Sequence, residues 1–360
     1  MREYEIMKFS ALYQTCGAMR EPGYTLKAGG KALEIGDDAR LLRVECELTC
    51  ARQAGMLTLE AALNPEQEHG AAWLDAFQPG VVCSLSLGYG SSMTEVFCGF
   101  LYDVLWSDPL DGPDMIMEAV CLDVRGRLML TSHADAGSRR VFSQLINDIL
   151  GQDCCTDLAS RQTIDPPPED WNLPALRPGS SDYHILCTAA DFLCYEFYAF
   201  ADELHFGKPR PESSAVLTFD GPNGLMSLKR RRTLAGQCAA VAVSGTDDTG
   251  ERIYSRQTRE ADSGFGTDKM GGILSGDLHQ PEPFVRTMAQ AQYLSKARME
   301  RRQRQSGGLI GRGVGLPELR PGRFVEVTDL SKALNGSYYV HTVRHILDET
   351  GFETWFEAED

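Results

Sequence analysis

The chain lacks any apolar stretch near the roughly 18 residues that a membrane-spanning helix requires, so insertion into a bilayer is not expected. Its first residues, MREYEIMKFS, are charged and hold no apolar signal core, which points to synthesis and folding in the cytoplasm. Positive charge is in deficit. With 35 Lys and Arg against 51 Asp and Glu the net charge is −16, which disfavours stable nucleic-acid binding by the molecule as a whole. Cysteine is plentiful at 11, but C-x-x-C and C-x-x-H pairs are missing. Cys46, Cys83 and Cys98 sit between apolar neighbours in alternating runs, the setting of small buried hydrophobes and not of a disulfide framework. No G-x-S-x-G elbow and no H-E-x-x-H helix occurs, although a carboxylate pair assembled only in space would escape such a search.

What is present is alternation. At 360 residues the chain is long enough for two or three domains. Between 40 and 123 five runs alternate apolar and polar residues: Leu42 to Leu48, Leu57 to Leu63, Val81 to Leu87, Val96 to Val104 and Met115 to Cys121. Five such strands predict a sandwich or barrel. The period then lengthens. Val141, Phe142, Leu145, Ile146 and Ile149 recur at helical spacing after Ser138, an expected N-cap, and stop at Gly151. A stiff Asp165-Pro166-Pro167-Pro168 loop follows, then a second helical face from Asp182 through Leu193 and an aromatic hairpin over Tyr195 to Phe206. Strands return after Pro211. The stretch from Gly245 to Gly276, rich in Gly, Asp, Thr and Ser, reads as a long exposed loop or insertion, and a helix is expected over 283–304.

Several residues invite a chemical reading and fail it. His341 and His345 would share a metal on a helix, but they sit in a strand pattern that puts them about 13 Å apart. Cys154, Cys155, His184, Cys187 and Cys194 have no zinc-ligand spacing, and no metal or cofactor is expected. The glycine-rich run from Gly307 to Gly315 precedes a strand and follows a helix, the reverse of a phosphate-cradling loop, and reads as a flexible connection. Two basic runs, Lys229-Arg230-Arg231-Arg232 and Arg298 to Arg304, suit a charge-complementary seam with an acidic neighbour. Arg230, Arg231, Arg232, Arg301 and Arg302 are therefore candidate inter-subunit contacts.

The last 46 residues form two alternating strands about an Asp348-Glu349-Thr350-Gly351 turn. Tyr339, His341, Val343, His345 and Leu347 are expected on one face; Phe352, Thr354 and Phe356 alternate along the second strand. This block resembles the C-terminal end of the phage late control protein D family, the baseplate hub proteins of contractile tails and related injection machines, including the hub portion of type VI secretion spike proteins. The resemblance rests on Leu316, Pro317, Pro321 and Gly322 entering a strand, on Gly336, Tyr338, Tyr339 and Val340 with His345, and on Gly351, Phe352 and Thr354. It extends to the FQPGVVCSLSLGYG run from Phe77 and to the Ser-Asp helix start at 181–182.

The resemblance implies an α+β, predominantly β protein with two barrel-like antiparallel β domains around a mixed centre. The expected boundaries are 1–132, 133–210 and 211–360, with strands interleaving between domains. It also implies a non-enzymatic structural role as a homotrimer that adapts a hexameric tail tube protein to a trimeric spike protein, among other baseplate proteins of a phage tail or tail-like particle. The competing readings are a tail-associated cell-wall hydrolase and a receptor-binding or adhesin module.

Overall fold

A computed structural model describes residues 7–108, 114–132, 142–167, 171, 180–209, 214–260, 274 and 276–360. The chain is α+β and mostly β. It opens with β1 (Met7–Lys8), α1 (Phe9–Thr15), β2 (Pro22–Ala28), β3 (Lys31–Ala32), β4 (Ala39–Thr49) and β5 (Met56–Leu63). Helix α2 (Glu68–Ala76) leads into β6 (Val82–Tyr89), β7 (Ser92–Ser107) and β8 (Met115–Leu122). The centre holds α3 (Val124–Met129), α4 (Phe142–Leu150), α5 (Asp153–Thr156), β9 (Arg161–Ile164), α6 (Asp182–Leu193), β10 (Glu196–Phe200) and β11 (Glu203–Gly207). There follow β12 (Ala215–Phe219), β13 (Leu225–Arg232), β14 (Ala240–Thr246), β15 (Arg252–Thr258), β16 (Asp277–Pro281) and α7 (Met288–Arg304). The chain closes with β17 (Gly307–Val314), β18 (Phe324–Val327), β19 (Gly336–Asp348) and β20 (Gly351–Glu359).

Both ends of the chain enter one 14-stranded sheet, and the same pairing order occurs in it twice. The early strands lie in the order β4-β5-β8-β7-β6-β2, and the late strands in the order β13-β17-β20-β19-β18-β12. Numbered along the chain within each set, both orders read two, three, six, five, four, one. The registers agree as well. Cys46, Leu57, Cys121 and Leu101 stand in one row across β4, β5, β8 and β7. Arg230, Leu309, Ala358 and Val340 make the corresponding row across β13, β17, β20 and β19. Two bulges fall at matching places, Leu42 and Met226 on the second strands and Tyr102 and His341 on the fifth, while those at Val96 on β7 and Val216 on β12 have no counterpart. The units differ where the first strand joins the fourth, since β2 runs antiparallel to β6 whereas β12 runs parallel to β18. Among the described residues no strand pairing closes either unit into a barrel. The β4 edge that closure would use is occupied instead by β19.

Two apolar cores result. One lies within the doubled sheet and takes residues from both ends of the chain, from Phe9 and Leu26 to Phe356 and Ala358. The other gathers α4, α6 and the β10–β11 hairpin with Val241, Val243, Ile253, Leu294 and Met299. Helix α6 starts where expected because the Ser181 side chain accepts the His184 N–H at 3.2 Å. It ends as Cys194 turns left-handed at φ 58°. The expected cap Ser138 and Val141 lie outside the described residues; of that face, Leu145, Ile146 and Ile149 are buried.

Four sequence expectations need correction. The stretch from Gly245 to Gly276 is not wholly a loop: β15 pairs with β14, and β14 also takes β16 in parallel. The signal was weak because β15 buries only Ile253 and lays the polar Ser255 against Ser295 of α7 at 3.0 Å. Helix α7 begins at Met288 and not 283, fixed by a Thr287–Gln290 capping box. The glycine-rich run is a strand paired on both sides. A Cβ on Gly308 would meet the Ala358 carbonyl at 2.3 Å, and one on Gly311 the Phe356 ring at 2.2 Å, so these glycines permit close packing and not flexibility. Finally, the His341 bulge shifts the phase of β19 by one residue. Tyr338 and Val340 precede it in the core and Val343 and Leu347 follow it, so Tyr339 and His341 do not share the face of Val343.

Candidate assembly surface

Strand β19 is the joint of the molecule. Its first residues pair with β18, and beyond the bulge the same edge passes to β4, with Thr342 opposite Thr49 and Asp348 opposite Arg43. The Cys50 N–H donates to the His341 carbonyl at 2.9 Å, which carries the ladder onto the bulge itself. Arg344 pairs with Glu45, Arg43 reaches Asp348 at 3.3 Å, and the Thr49 and Thr342 hydroxyls meet at 3.0 Å. These ion pairs are partly exposed, so they fix register more than they add stability.

The residues behind the family resemblance hold the second unit and its joint. Gly322, at φ +82°, donates its N–H to the Val340 carbonyl at 2.9 Å, and Val340 donates back to Arg323 at 2.8 Å. The first unit has the same clasp: Gly80, at φ +92°, donates to Leu101 at 2.8 Å, and Leu101 donates to Val81 at 2.8 Å. Pro79 and Pro321 precede these glycines, and Pro317 and Pro321 are both buried. A second lock also recurs: the Asp123 N–H donates to Gly55 at 2.9 Å and that of Asp360 to Gly307 at 3.3 Å.

His345, Thr354 and Leu316 form one buried cluster, in which Thr354 Oγ1 accepts the Leu316 N–H at 2.8 Å and lies 2.9 Å from His345 Nδ1. Burial pushes His345 down to about 4, offset in part by the Leu319 backbone, so the imidazole is neutral at pH 7. Phe352 packs on Tyr89 of the first unit with ring centroids 5.9 Å apart, and the Tyr89 hydroxyl donates to Gly315 at 3.0 Å. The Tyr338 hydroxyl donates to Leu334 at 2.6 Å, and that of Tyr339 to Glu196 of the central hairpin. Gly336 and Gly351 open the last two strands.

Most of the arginines on α7 have partners inside the chain. Arg298 pairs with Glu282, Arg301 with Asp191 at 3.8 Å, and Arg304 with Glu359 at 3.6 Å, while Arg302 donates to the Gly236 carbonyl. On β13, Arg230 turns inward over the Tyr338 ring and donates to Ala333 at 3.0 Å, whereas Lys229, Arg231 and Arg232 are exposed. Sequence reading grouped these two basic runs. The fold separates an internally paired helix from a basic strand edge, a distinction that depends on contacts distant in sequence.

Among the described residues, no three His, Cys, Asp or Glu side chains gather as metal ligands, and no helix is long and apolar enough to cross a membrane. His341 sits on the bulge with Nδ1 3.1 Å from its neighbour's Thr342 hydroxyl, while His345 is sealed in the core. Burial raises the thiols of Cys187 and Cys194, which lie on α6 and its cap.

No family model matches the chain, and no curated protein matches it. Solved structures do. A tail protein from Neisseria meningitidis MC58 superposes with a TM-score of 0.68 at 11% identity, covering 94% of this chain and 97% of that one. The 43 kDa tail protein of prophage MuSo2 from Shewanella oneidensis gives 0.66 at 15% identity, covering 94% of this chain and 100% of that one. An Escherichia coli type VI secretion component, described as structurally similar to the T4 bacteriophage tail proteins gp27 and gp5, gives 0.57 at 11%, covering 92% and 76%. The fold of this chain is thus shared with phage and prophage tail proteins and with a type VI secretion component.

Proposed function

We propose that this chain is the structural hub of a contractile tail or injection machine, a homotrimer that joins a hexameric tail tube to a trimeric spike. The observation that carries the reading is the doubled six-strand unit, repeated in order, register and two bulge positions. Two similar units per chain let three chains offer six near-equivalent surfaces on one face and keep threefold symmetry on the other. In this reading the units are the two barrel-like hub domains, 1–132 and 211–360, flanking the mixed domain 133–210. The second core, which draws β14, β15 and α7 toward the centre, supports treating the segment between β13 and β17 as an insertion docked on that middle domain. The role needs no catalytic group, cofactor or nucleic acid, and the chain assembles into the baseplate of a tail or tail-like particle. Light scattering should give a mass of three chains for the purified chain, or a complex holding three copies of it when mixed with its tube and spike proteins. A monomer under every mixture would overturn the proposal.

A further inference from the structure

The doubled unit leaves two strand edges that match a joint already made within the chain. In the first unit the outer edge of β4 is covered by the far half of β19, residues 342–348. In the second unit the corresponding strand is β13, and among the described residues it pairs only with β17. The first unit's counterpart of β19 is β7. Its pairing with β6 stops at Phe100, and beyond the Tyr102 bulge residues Asp103 to Ser107 pair, among the described residues, only with β8. Each chain therefore has both halves of a second joint, on opposite units.

We infer that β13 of one copy pairs antiparallel with the Asp103–Ser107 edge of β7 in the next copy, repeating the β4–β19 joint between chains. The inference rests on the hub reading above and names the seam that reading requires. Carrying the β4–β19 register across places Arg231 opposite Leu105, where the internal joint sets Glu47 opposite Arg344, and Lys229 opposite Ser107, where it sets Glu45 opposite Ile346. Charge fits with the signs exchanged. The internal joint has acidic β4 facing Arg344, and the seam sets basic β13 beside Asp103 and Asp108. Leu105 is 59% exposed and would be covered by the added strand. Pairing of an open edge with one specific partner also removes a template for indiscriminate association. Because the contact is head to tail, it closes only as a ring in which internal and external joints alternate.

The test is a register-specific crosslink in the full chain. In the proposed register Leu105 and Arg231 form a non-hydrogen-bonded pair with Cα atoms about 4.5 Å apart, within disulfide range. Leu105→Cys with Arg231→Cys, oxidised with diamide, should give covalent trimers on a non-reducing gel, about tenfold above the off-register pair Leu105→Cys with Lys229→Cys, whose Cα separation of about 7–8 Å is unfavourable. The single substitutions measure background from native thiols. Trimers by light scattering without the in-register crosslink, or with equal yield from both pairs, would place the seam elsewhere and leave the hub reading standing. A chain that stays monomeric with tube and spike proteins and gives no crosslink would overturn both.

Discussion

The two six-strand units share a backbone plan and almost no side chains. Cys46 corresponds to Arg230, Gly99 to Tyr338, Tyr102 to His341 and Trp106 to His345. What is kept is what the backbone needs: a left-handed glycine that clasps the residue before the bulge, an extra residue on the long fifth strand, and an Asp–Gly lock between the ends of the third and sixth strands. The units diverge where they meet other parts. The turn between the second and third strands is six residues in the first unit, from Cys50 to Gly55, and becomes the whole β14–β16 and α7 insertion in the second. Strand order and bulges set the shape of an assembling surface, while side chains adapt each copy to its own neighbours.

The sharpest asymmetry lies at the locks. Asp123 accepts the N–H groups of Gly55 at 2.7 Å and Arg125 at 2.9 Å, and also binds the fully buried Arg125 guanidinium. Arg125 further donates to the carbonyls of Thr49 at 3.1 Å, Ala51 at 3.0 Å and Phe197 at 3.0 Å, tying the first unit to the central hairpin. The matching Asp360 meets the partly exposed Arg230 at 3.3 Å. Arg125→Met leaves a buried carboxylate without its cation and should destabilise by about 3–5 kcal/mol, whereas Arg230→Met should cost about 1 kcal/mol or less. Equal losses in urea denaturation would show that the two locks are energetically equivalent.

The second unit alone places a buried imidazole at the joint. His345 is lowered to about 4 by burial, from an ordinary value of 6.5. The unfolded chain takes up this proton first as pH falls, so the His345 contribution is intact above about pH 6.5 and is lost on the way to pH 4, by about 3 kcal/mol in all. Its counterpart in the first unit is Trp106, so that position has no such sensitivity. His345→Gln should flatten the fall in stability between pH 6.5 and 4, measured by denaturant midpoints at each pH. An unchanged slope would assign the acid sensitivity to other groups, such as His205, which burial also lowers.

Much of this was legible in the sequence because alternation survives where one strand face is buried. Four of the five early strands, the Ser181-capped helix, the aromatic hairpin and Phe352 to Phe356 on β20 follow their patterns; on β7 bulges at Val96 and Tyr102 break the expected Val96-to-Val104 face, burying Phe97 and Leu101 and leaving Tyr102 exposed. What stayed hidden had physical causes. A bulge at His341 is a single inserted residue that leaves local composition unchanged but reverses the faces of Tyr339 and Val343. Glycines in β17 read as flexible because their reason, the Phe356 ring and the β20 backbone, lies over 40 residues away. The doubling was expected from the resemblance as two barrel-like domains, but in the residues themselves the matching six-strand order left only a Pro-Gly at 79–80 and again at 321–322, too short to reveal it.

That shared Pro-Gly turn allows a finer test of the units against each other. Gly80 and Gly322 have nearly the same backbone, at φ +92° and +82°, so alanine at either carries a similar left-handed strain of about 1 kcal/mol. Their surroundings differ. A Cβ on Gly80 meets nothing within 4 Å, whereas one on Gly322 would stand 2.0 Å from the Tyr198 hydroxyl. Tyr198 is buried in the central hairpin, next to His205 with ring centroids 5.0 Å apart, and cannot swing clear without disturbing that packing. Gly322→Ala should therefore cost about 2–3 kcal/mol and Gly80→Ala about 1 kcal/mol, read from urea midpoints on the same day. The double substitution Gly322→Ala with Tyr198→Ala, compared with Tyr198→Ala alone, removes both the hydroxyl and the ring carbons, at 2.4 and 2.9 Å, that the methyl would strike. If the Gly322 penalty then falls toward that of Gly80, the extra cost comes from contact between the second unit and the centre; if it does not fall, the two turns differ in backbone strain, and the clasp is less alike in the two units than its hydrogen bonds indicate.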